Sequence, residues 1–87
     1  MILELRVRNH PGAMSHITGL FARRAFNLDS ILCTPVGDGR ESRMLLQVAD
    51  TPRLAQIECQ LEKLHDVRAV WLRPDLTARV FQTGPDA

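Results

Sequence analysis

Residues 9–27 read NHPGAMSHITGLFARRAFN, and the fold follows from how this stretch is parsed. Asn9, Pro11 and Gly12 are turn formers. Directly behind them Met14, Ile17, Leu20 and Phe21 recur at spacings of three and four, the pattern of an amphipathic helix with one buried face. Arg23 and Arg24 fall in its last turn, where positive charge complements the helix dipole. Upstream, MILELRVR places Leu3, Leu5 and Val7 on one side and Glu4, Arg6 and Arg8 on the other, which is the period of a half-buried strand. A strand therefore runs through a tight turn into a helix.

Downstream, residues 27–36 are rich in Leu, Ile and Thr and read as a second strand. GDGRE, residues 37–41, is a turn by its Gly and Asp content, and Met44, Leu46 and Val48 then alternate in a third strand, so that the two form a hairpin. Asp50-Thr51-Pro52 has the form of a helix start with proline at the first helical position, and Leu54, Ile57, Leu61 and Leu64 supply its buried stripe. Residues 66–73 are the last strand, broken by Pro74. Residues 76–81 could add one short strand before a loose end.

Strand, helix, strand, strand, helix, strand with right-handed crossovers makes two interlocked βαβ units. The expected α+β fold is ferredoxin-like, an antiparallel four-stranded sheet of order 4-1-3-2 with both helices on one face. Residues 1–73 form the domain and residues 74–87 a tail. Counted along uninterrupted strands, Ile31, Leu45 and Val70 fall on the face away from the helices. Apolar residues there predict dimerisation or docking to another protein.

With 87 residues, 45% hydrophobic and 24% charged, the composition is that of one ordinary globular domain, and a core this small leaves a thin stability margin that favours a partner chain. A formal net charge of +1 offers no long-range field for nucleic acid or an anionic membrane. No apolar run approaches the ~20 residues of a membrane span, and the N-terminus has no signal-peptide block, so a cytoplasmic protein is expected. Cys33 and Cys59 match no metal or redox spacing and read as reduced, part-buried residues, and His10, His16 and His65 lack ligand spacing. Trp71 reads equally as core or interface. No phosphate loop, paired-carboxylate pattern or nucleophile motif supports catalysis. A sheet that binds RNA would need exposed aromatics, and the central strands LELRVR and RMLLQVA contain none.

NHPG at residues 9–12, GLFARRAFN at 19–27 and ILCTP at 31–35 together resemble the ACT domain of the small regulatory subunits of acetohydroxyacid synthase, in their short form without a C-terminal domain. The similarity continues through LAQIECQLEKLHDV and covers residues 2–73. It implies a non-catalytic homodimer that binds valine or another branched-chain amino acid between subunits. The implied partner is a separate catalytic subunit, to which thiamine diphosphate, magnesium and FAD would belong, with no cofactor on this chain. It further implies that Asn9, Gly12 and Asn27 bind the effector. A free-standing ACT-type sensor with a different partner is the alternative.

The residues suit such a ligand. A helix N-terminus presents unpaired N–H groups and partial positive charge to a carboxylate. Gly12 leaves room for close approach, Pro11 presets the turn, and the Asn9 amide can address both ends of a zwitterion. His10, Ala13 and Met14 complete this loop. A plain helix cap is the competing reading of the same residues. Because the second strand runs parallel to the first, Asn27 starts at the far end from Asn9. Antiparallel pairing of two subunits through this edge strand would bring the partner's Asn27 to the loop. Leu28 and Ile31 are the candidates for contact with a branched aliphatic side chain.

Overall fold

Leu3, Leu5 and Val7 are buried at the centre of a four-stranded sheet, as their alternation requires. The structure is a computed structural model and describes residues 1–82. Its elements are β1 (Ile2–Arg8), α1 (Ala13–Arg23), β2 (Leu28–Val36), β3 (Glu41–Val48), α2 (Leu54–Glu62) and β4 (Val67–Leu72), followed by a 3-10 turn at Ala78–Phe81. The sheet order β2-β3-β1-β4 is the expected 4-1-3-2 read from the other edge, and every neighbouring pair is antiparallel. Ile17, Leu20 and Phe21 of α1 and Leu54, Ile57 and Leu61 of α2 join Leu3, Leu5, Val7, Met44, Leu46 and Val48 in one core.

Two β-bulges alter the parity read from the sequence. Leu28 pairs with Val48 but Ser30 already pairs with Gln47, so Asp29 is the extra residue and Ile31, opposite core residue Leu46, faces the helix side. Val7 pairs with Val67 but Arg6 with Ala69, so Arg68 is extra and Val70, opposite Leu5, packs against the core. A single inserted residue moves every later side chain to the other face. Ile31 and Val70 are thus on the helix face, and Leu45, paired with Glu4, remains on the other. Ile31 is still 38% exposed, because it lies on edge strand β2 where the helices do not reach.

The face away from the helices is covered from within the chain. Leu45 and Glu4 are both 2% exposed there. Arg73, just past β4, donates to Ile2 O through its backbone and to the Glu4 carboxylate through its guanidinium, and the 3-10 turn lies against β2 at the opposite edge. Since the helices fill the other side, the segment from Arg73 to Phe81 crosses this face from β4 to β2. Where a short strand was expected at residues 76–81, Thr77 caps a 3-10 turn by accepting from Arg79 N. The loose end expected beyond it lies outside the described residues.

Other local differences have simple causes. Thr51 Oγ1 accepts from Arg53 N at 3.2 Å, yet Pro52 and Arg53 stay in the preceding turn and α2 begins at Leu54 rather than at the proline. Helix α1 ends in a Schellman motif: Phe26 N donates to Phe21 O at 2.9 Å and Ala25 N to Ala22 O at 3.2 Å. This places Ala25 at φ +51, and the Phe21 and Phe26 rings meet edge-on at 5.9 Å between centroids. Cys33 and Cys59 are exposed rather than part-buried. Among the described residues, no helix is long and apolar enough to cross a membrane.

Candidate functional site

The β1–α1 connection is built by short backbone bonds. Arg8 N donates to Asp66 O at 2.8 Å, Asn9 N to Arg40 O at 3.0 Å and Ala13 N to His10 O at 3.1 Å. The last closes a turn over Pro11 and Gly12, and Gly12 has φ −84 and ψ −12, values open to any residue. Any constraint on this position is therefore one of space rather than of conformation: a Cβ there would stand 3.2 Å from His10 Cε1, close enough that the ring would have to give way slightly.

Gly12 is the N-cap of α1, and no side chain caps the helix. His16 N takes up Gly12 O, while among the described residues the N–H groups of Met14 and Ser15 have no backbone acceptor. The plain-cap alternative therefore lacks its hydrogen bond. Asn9 is turned the other way: its Nδ2 donates to Gly39 O at 2.7 Å in the β2–β3 turn. Ala13 is buried and offers only backbone, whereas Met14 is 39% exposed.

Asp66, at the entry to β4, is the anchor of the loop. It is 3% exposed, and its two carboxylate oxygens are taken by two rings, His10 Nε2 at 2.5 Å and His16 Nδ1 at 3.0 Å. The hydrogen bonds from His10, then His16, hold its carboxyl below the usual carboxylate value against the opposing effect of burial. His10 Nδ1 in turn accepts from Gly12 N at 3.1 Å. Neither Asp66 nor His16 was recognised from the sequence as part of this loop. Nothing in their spacing joins position 66 to positions 10 and 16.

Beside the loop lies an open cleft of about 950 Å³ bordered by Asn9, His10 and Asp66 and rimmed with arginines, including Arg6, Arg8 and Arg68. Arg68 pairs with Glu41 at 3.1 Å and Arg40 with Asp38 at 3.2 Å, whereas the Arg8 guanidinium, among the described residues, meets His65 Nε2 at 3.2 Å and no carboxylate. Among the described residues, no group of three or more His, Cys, Asp or Glu side chains is arranged to hold a metal ion.

Asn27 is at the other end of the domain, since β1 and β2 both run antiparallel to β3 and hence parallel to each other. Its Nδ2 donates to Asp29 Oδ1 at 2.8 Å. It borders a smaller hollow of about 340 Å³ with Ala25, Phe26, Ala49, Pro52 and Arg53. Arg53 stacks over Phe26 at 5.5 Å and donates to Arg24 O, closing the end of α1. Leu28 packs partly against the core, and Ile31, on the helix face of edge strand β2, is exposed. One subunit thus brings Asn9 through Met14 together and keeps Asn27, Leu28 and Ile31 apart from them.

Architecture and loop define the class of protein: a regulatory domain of the ACT type rather than a catalytic one. Residues 3–69 match the family described as the AHAS small subunit-like ACT domain, and the chain belongs to that family. It is 57% identical over 67 residues to the acetolactate synthase isozyme 1 small subunit of Escherichia coli K12, covering 77% of this chain and 70% of that protein. Against the acetolactate synthase small subunit of Haemophilus influenzae it is 46% identical over 67 residues, covering 76% of this chain but 41% of the relative. The crystal structure of the acetolactate synthase small subunit of Thermotoga maritima superposes with a TM-score of 0.73 at 35% identity, over 80% of this chain and 44% of that one. The ACT domain of GTP pyrophosphokinase from Chlorobium tepidum, at 21% identity and a TM-score of 0.62 over 86% of this chain and 85% of that one, shares the fold alone.

Proposed function

We propose that this chain is the regulatory subunit of an acetohydroxyacid synthase, binding valine or another branched-chain amino acid and conferring activation and feedback inhibition on a separate catalytic subunit. The observation that carries the ligand reading is the uncapped start of α1, whose Met14 and Ser15 N–H groups have no backbone acceptor among the described residues. Such a terminus suits a carboxylate. Family membership and the small-subunit names of the relatives support the choice of catalytic partner, which carries the thiamine diphosphate, magnesium and FAD.

Two copies pair antiparallel through edge strand β2, supplying the second wall that one subunit lacks. Its exposed Ile31 and the opposite placement of Asn9 and Asn27 support this pairing. The effector then lies between Asn9–Met14 of one copy and Asn27 of the other, and its occupancy alters the geometry of the pair that the catalytic subunit feels. Acetolactate formation by the reconstituted enzyme across a valine titration tests the reading. Asn27→Ala is expected to weaken valine by about tenfold to hundredfold, the loss of a buried polar contact of about 1–3 kcal/mol, with assembly retained. Unchanged valine sensitivity would refute the role of Asn27. Valine binding without any effect on acetolactate formation would favour the free-standing sensor.

A further inference from the structure

We propose that Asp66 is the positioning residue of the effector loop, fixing the His10 ring so that its Nδ1 occupies the Gly12 N–H, and that protonation of His10 releases this N–H to the ligand carboxylate. The inference rests on the effector reading above and adds a proton to it.

The hydrogen-bond directions decide the state of each ring. Gly12 N–H can only donate, so His10 Nδ1 is the acceptor and carries no hydrogen, and the ring is neutral with its hydrogen on Nε2, aimed at Asp66 Oδ1. Asp66, buried and bonded by both rings, remains an acceptor for the two histidines. His16 differs from His10. It bonds Asp66 through Nδ1, its side chain is 61% exposed, and a proton added at Nε2 breaks no hydrogen bond among the described residues. On His10, by contrast, the second proton must land on Nδ1 and displace the Gly12 N–H. That one event places a positive charge at the start of α1 and frees a donor next to the unpartnered N–H groups of Met14 and Ser15. Both changes favour a carboxylate at the same place.

Other charges face this ring and its cleft: Arg6 and Arg8 from β1, Asp38 and Arg40 from the β2–β3 turn, Glu41 from β3, and His65 and Arg68 beside β4. Most are spent on fixed pairs, Asp38 with Arg40 and Glu41 with Arg68. His65 is the other histidine that lines this cleft. Its Nε2 accepts from Arg8, so it also takes its second proton at the expense of a contact. That contact involves neither Gly12 nor the start of α1, which makes His65 the natural control.

The test is calorimetric titration of valine into the full chain assembled with its catalytic subunit, in buffers of different ionisation enthalpy, from pH 8 to pH 6. Binding is expected to take up a proton and to tighten as the pH falls, with a ceiling of about tenfold per pH unit for one proton. His10→Gln keeps an acceptor for Gly12 and a donor for Asp66 but cannot be protonated, and is expected to bind valine with this uptake abolished; His65→Gln is expected to retain it. Ring nitrogen shifts give a reading independent of valine: His10 should show the Nε2–H form in the wild type and lose that preference in Asp66→Asn. No proton uptake in the wild type, equal uptake in His10→Gln, or an Nδ1–H form of His10 would overturn the proposal while leaving valine binding, and with it the effector reading, intact. Absence of valine binding at every pH would overturn both.

Discussion

Leu45→Ala, measured in chains of different length, tests whether the segment after β4 is a structural part of the domain. Leu45 is 2% exposed on the sheet face that carries no helix. Its truncation removes about three carbon groups at about 0.8 kcal/mol each and leaves a cavity, for a total of about 2–4 kcal/mol in a chain that retains residues 74–82. At about 4–8 °C per kcal/mol for a domain of this size, the thermal midpoint falls by roughly 8–32 °C. In a chain ending at Pro74, which keeps Arg73 and its contact with Glu4, Leu45 is already open to solvent. The same substitution should then cost less than about 1 kcal/mol. A chain ending at Gln82 serves as the control that keeps the covering segment. Urea unfolding followed by circular dichroism, at one fixed protein concentration so that self-association cancels, gives the four values needed. Equal costs in the two truncated backgrounds would show that residues 75–82 do not cover Leu45.

Ala25 occupies the left-handed position of the α1 Schellman motif at φ +51, where a Cβ is strained. Ala25→Gly is expected to stabilise by a few tenths to about 1 kcal/mol once the greater freedom of the unfolded glycine is subtracted, and a lower urea midpoint would contradict this. Gly12→Ala keeps an allowed backbone but presses a methyl group 3.2 Å from His10 Cε1. The fold should survive by circular dichroism while the calorimetric response to valine is reduced or lost; a wild-type valine isotherm would show that the loop tolerates the methyl. Asp66 has its carboxyl lowered by His10 and His16, so its contribution to stability is complete above the ordinary carboxylate value, about 3.9, and is lost as the pH falls through the lower folded value. Asp66→Asn should therefore be less stable than wild type at pH 6 and converge on it in acid, and a constant difference down to pH 2 would refute the assignment.

Much of this domain is local. The alternation of Leu3, Leu5 and Val7 and the helical spacing of Ile17, Leu20 and Phe21 are properties of neighbouring residues, and they determine element type, order and core face before any tertiary contact forms. The loop at Asn9–Gly12 is legible for the same reason, since proline and glycine restrict or free the backbone wherever they stand. Bulges at Asp29 and Arg68 are not local in this sense: the extra residue exists only relative to a partner strand, so the faces taken by Ile31 and Val70 were decided by pairing with β3 and β1. The tail is similar. Residues 76–81 have apolar members suited to a strand, but with β4 already at one edge and Leu45 uncovered, burial over the open face directed them into a crossing segment and a 3-10 turn. Asp66 shows the same limit in the site itself. A single aspartate 50 residues from His16 and 56 from His10 carries no signal in sequence, and only the antiparallel return of β4 beside β1 brings its carboxylate between the two rings.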